Sequence, residues 1–134
     1  MTTGVFLLNT KCTIALFAVA LVAAAWPARA ETPEDKAYML KFVELSKHSL
    51  RLSREGDDEA IAKLIPSLRQ LANTPNISQP CIEAVNAKVA MLEANVLFLR
   101  ADDGKDMPFL LEIQKQERVL IDRRGVCLNG RQNP

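Results

Sequence analysis

Along most of the chain, apolar residues recur three and four positions apart, the spacing that lines one face of an α-helix. No stretch shows the alternation of a half-buried strand. Tyr38, Phe42, Leu45 and Leu52 form the first stripe, which Met39, Val43 and Leu50 widen. This helix begins after Thr32, an N-cap residue followed by Pro33, Glu34 and Asp35, and it stops at Glu55-Gly56. Asp57 and Asp58 open a second helix, striped by Ile61, Leu64, Ile65, Leu68, Leu71 and Ala72. Pro66 falls inside that stripe and cannot donate to the preceding turn, so a kink or a late start is predicted there.

Asn73-Thr74-Pro75-Asn76 reads as a loop, after which Ser78 opens a third helix through Gln79 and Pro80 that extends to Ala101. Ile82, Val85, Val89, Leu92, Val96 and Leu99 form its main stripe. A second row of Ala84, Ala87, Met91 and Phe98 leaves little polar circumference, which predicts a central helix packed on several neighbours. Asp102-Asp103-Gly104 turns the chain, and Asp106 precedes a fourth helix from Met107 to Arg124. Phe109, Leu110, Ile113, Leu120 and Ile121 are its expected buried side, and Gly125 its expected C′ residue. The predicted fold is all-α: a small antiparallel four-helix bundle made of two helical hairpins.

The segment before Thr32 follows a different logic. Lys11 is followed by an apolar run from Cys12 to Ala25, broken by Trp26-Pro27, and Ala28-Arg29-Ala30 supplies the small residues of a peptidase site. The run is shorter than the roughly 20 apolar residues of a spanning helix. Residues 1–30 are therefore expected to be a cleavable signal, 31–127 the helical domain and 128–134 a flexible tail. The expected address is the bacterial periplasm or the exterior, with no stable membrane insertion after cleavage.

Cleavage changes the composition that matters. The chain carries 17 basic and 16 acidic residues. Loss of Lys11 and Arg29 takes the formal charge from +1 to −1, without the basic excess of a nucleic-acid binder. The three cysteines become a pair, Cys81 and Cys127, in a compartment where disulfides persist. At about 1.5 Å per residue the third and fourth helices are each roughly 27–33 Å long. As an antiparallel hairpin they bring both cysteines to one end. Closing a loop of about 46 residues is worth ~4 kcal/mol by chain entropy.

Candidate chemistry is sparse. His48 lies at the margin of the first helix's apolar arc with Glu44 one turn before it, but no second histidine and no H-E-x-x-H accompanies them. No G-x-S-x-G elbow exists, and no C-x-x-C-H attaches a haem. Met39, His48 and Met91 are the potential axial ligands of a haem- or metal-binding bundle, the alternative function. Apolar-position methionines otherwise fill core gaps, and no cofactor is expected. Lys36, Lys47, Arg51 and Arg54 fall along the side of the first helix opposite its apolar arc, a candidate docking strip for a partner. Arg118, Arg123 and Arg124 gather near the end of the fourth helix, where cations complement the macrodipole. Gln116 and Glu117 fall near its expected buried side.

Leu50 to Leu68, through its Gly-Asp-Asp-Glu-Ala-Ile turn, resembles the turn of a tetratricopeptide-type hairpin. The preceding helix lacks that repeat's aromatic and glycine positions, and two hairpins are fewer than the three a solenoid needs. The expected function is that of a non-enzymatic accessory, inhibitor, immunity or chaperone-like factor, bound to a protein partner in the cell envelope.

Overall fold

The computed structural model describes residues 32–129. The signal expected at residues 1–30 and residues 130–134 of the expected tail lie outside the described residues. The described residues form four helices: α1 (Pro33–Glu55), α2 (Asp58–Ala72), α3 (Gln79–Arg100) and α4 (Met107–Asn129). No strand occurs among the described residues. The fold is the antiparallel four-helix bundle of two hairpins that the periodicity predicts.

Local signals set the first two helices. Thr32 Oγ1 accepts from the Asp35 N–H at 3.1 Å, and Asp57 Oδ1 accepts from the Ala60 N–H at 3.1 Å. Gly56 ends α1 at φ 68°, and the Asp57 N–H returns to the Leu52 carbonyl at 3.1 Å, a Schellman closure. Pro66 neither delays nor divides α2, which begins at Asp58 and continues past the proline. Its ring is exposed, so it meets solvent instead of a neighbouring helix.

α3 is central, as its two apolar rows require. Cys81, Val85, Leu92 and Val96 are buried there with Phe42 and Leu52 of α1 and Ile61, Leu64 and Leu68 of α2. The second row, with Ala84, Ala87 and Ala94 buried, faces α4. These small side chains let the two backbones approach closely, and α3–α4 is the most extensive helix contact among the described residues.

The fourth helix departs from expectation at its end. It runs through Gly125 to Asn129, so Leu128 and Asn129 belong to the helix and not to a tail. The disulfide from Cys127 to Cys81 and the packing of Leu128 against the core hold this last turn in place of a glycine cap. Cys81 and Cys127 have Cα atoms 4.8 Å apart, at the end where α3 begins and α4 finishes.

Candidate functional site

Three features carry chemistry or recognition: the outer face of α1, the polar seam between α1 and α3, and the uncovered sides of α4. On α1, Lys36, Lys47, Arg51 and Arg54 are all exposed, along the side opposite Tyr38 and Phe42. Lys47 stands 4.0 Å from Glu44, and Arg51 Nη2 lies 2.6 Å from His48 Nδ1. Leu40, 62% exposed, sits within this strip. The predicted basic strip is thus a solvent face with an apolar residue in its midst.

His48 is exposed and engaged with Arg51, whereas Met39 is buried in the core. The structure does not bring this histidine to the interior where an axial ligand would stand. Among the described residues, no three His, Cys, Asp or Glu side chains group as a metal-binding set. No described helix is long and apolar enough to cross a membrane.

The α1–α3 seam holds groups that the sequence pattern did not expose. Asp35, 1% exposed, accepts the Ser78 N–H at Oδ1 (3.0 Å) and the Ser78 hydroxyl at Oδ2. Ser78 therefore spends its side chain on Asp35 and not on capping α3. Burial alone would raise the Asp35 carboxyl. The Ser78 hydroxyl and N–H, with Thr32, outweigh it and hold the group below the ordinary carboxylate value. Its negative charge also sits at the positive N-terminal ends of two parallel helices. Farther along, Asn95 Nδ2 donates to Ser53 Oγ at 2.7 Å.

Lys88 lies on α3 between these links and is 7% exposed. Burial pushes its ammonium below the ordinary lysine value, partly offset by the charge of Glu117 on α4. Glu117, expected near the buried side of α4, is exposed, while Gln116 is half-buried. Within an apolar helix Lys88 carries no sequence signal of burial, because a single lysine there reads as the polar margin.

Ion pairs stitch α3 to α2 and α4: Arg69 with Glu93, Arg100 Nε with Asp58 at 2.6 Å, and Arg123 with Glu83 at 3.3 Å. Such exposed pairs fix register more than they stabilise. Between α1 and α2 lies a cavity of about 510 Å³ lined by Lys41, Leu45, Gln70 and Leu71. A smaller one beside it, about 140 Å³, is lined in part by Tyr38. The Tyr38 hydroxyl is buried without a partner, and burial pushes its pKa up to about 12.

α4 is packed along one side only. Met107, Leu111, Val119 and Ile121 are exposed, and Cys127 is its only fully buried residue among those described. Comparison with known proteins returns no match to a family model, a curated protein or a solved structure.

Proposed function

We propose that this chain is an exported, non-enzymatic binding protein of the bacterial envelope that acts through its helical surface on a protein partner. The observation that carries the reading is the set of large apolar side chains left uncovered on the two outer helices. Leu40 and Leu50 on α1, and Met107, Leu111, Val119 and Ile121 on α4, stand at 39–62% exposure, with Leu97 on α3 the one further large apolar side chain exposed among the described residues. Uncovered apolar surface flanked by charge is what a protein interface looks like before it is occupied. The cationic strip of Lys36, Lys47, Arg51 and Arg54 beside Leu40 supplies the polar rim and favours an acidic partner. The apolar run and small-residue site before Thr32, together with the Cys81–Cys127 bond, support an oxidising destination.

Photo-crosslinking side chains placed at Leu40, Leu50, Leu111, Val119 and Ile121 test this in intact cells, with Lys63 on α2 as the control position. A discrete protein adduct is expected from at least one of the α1 and α4 positions and none from Lys63. Adducts at no position, or stoichiometric haem or metal in the purified protein, overturn the reading.

A further inference from the structure

In a closed four-helix bundle α1 and α4 would pack against each other, and here they make no extensive contact. The floor of the seam between them is α3. Polar rungs cross from α1 to α3 along it: Asp35 with Ser78 at one end, and Ser53 with Asn95 toward the other. Ser46 and Lys88 each lie one heptad before Ser53 and Asn95. On parallel helices the same faces recur at that spacing, so the two side chains occupy a middle rung. The outer rungs are hydrogen-bonded across the seam and the middle one is not. The Ser46 hydroxyl is buried without a partner, and Lys88, 7% exposed, joins no ion pair among the described residues.

Each wall carries an exposed apolar side chain one turn from this rung. Leu50 follows Ser46 on α1 and is 51% exposed; Ile121 follows Glu117 on α4 and is 60% exposed. We propose that the α1–α4 seam receives an amphipathic helix of the protein partner, carrying a carboxylate that accepts from the Lys88 ammonium. This rests on the binding function proposed above and names the chemistry of the partner. The occupant is a helix because both walls are helices whose backbone groups are already paired. An extended segment buried there would leave its own N–H and C=O groups unsatisfied. The anchor is a carboxylate because the Lys88 ammonium is a charged donor without an ion pair among the described residues, while the charge of Glu117 on α4 disfavours a doubly charged anion. Leu50 and Ile121 then meet the apolar stripe of the incoming helix.

The test places the crosslinker at Leu50 and Ile121 in the seam, with Leu40 and Val119 as positions outside it. The same adduct is expected from both seam positions. Lys88→Glu should lower its yield at least tenfold and Lys88→Arg should preserve it. Changing the partner's crosslinked carboxylate to lysine should restore the adduct with Lys88→Glu. Should Lys88→Glu fail to fold, Ser46→Asp supplies a competing carboxylate on the same rung and must give the same loss. A seam adduct indifferent to Lys88→Glu and Ser46→Asp overturns the proposal. So do adducts confined to Leu40 and Val119, an outcome that leaves the general binding function standing. Adducts at none of these positions remove both.

Discussion

Asp35 shows how much one side chain can decide. It joins the start of α1 to the start of α3 by accepting two hydrogen bonds from Ser78, and its charged form is the one those donors favour. A carboxyl whose folded pKa is depressed contributes stability that is complete above the unfolded value, near 3.9, and is lost as pH falls through the folded value. Asp35→Asn is therefore expected to destabilise at pH 7, by about 1–3 kcal/mol, and to flatten the acid limb of a Tm-versus-pH curve below pH 4. Tyr38 is the opposite case, a buried hydroxyl with nothing to bond. Tyr38→Phe should leave stability unchanged or raise it by up to about 1 kcal/mol, read from chemical denaturation.

At the scale of the element, the signals that could be read from the sequence are those completed within one turn. Thr32 with Asp35, Asp57 with Ala60 and Gly56 after Glu55 each place donor, acceptor or left-handed residue a few positions apart, and each boundary fell where they predict. Gly125 obeyed the same local rule and was overridden, because a bond to Cys81 and the packing of Leu128 act from outside the turn. Pro66 shows that a helix tolerates a locally unfavourable residue when its apolar stripe is well buried. The basic strip on α1 was legible as a period. The Asp35–Ser78 link and the middle rung were not, since they depend on which helices lie parallel and in what register. Two substitutions separate local from tertiary terms. Pro66→Ala should stabilise, by up to about 3 kcal/mol, by restoring an N–H to the helix ladder. Gly56→Ala should cost about 1 kcal/mol, because φ 68° strains any residue with a Cβ.

For the whole molecule the disulfide is the main long-range restraint. α4 packs chiefly on α3 and buries only Cys127 completely, so its docking depends on the staple more than that of any other helix. Cys81→Ser and Cys127→Ser are expected to lower Tm by similar amounts, and the double substitution no further than either alone. The chain-entropy ceiling for this loop is ~4 kcal/mol. Unequal losses, or an additive double variant, would mean that the two cysteines contribute separately.

The bond also divides the chain mechanically. A pull on residues 32 and 129 runs through α1 and α2, then crosses from Cys81 to Cys127, so α3, the turn after it and nearly all of α4 lie outside the load path. In the oxidised protein only the first hairpin can pay out. Stretched with a reductant, the same molecule should lengthen by about 150–165 Å more, the contour of the 46-residue span that the sulfurs had kept slack.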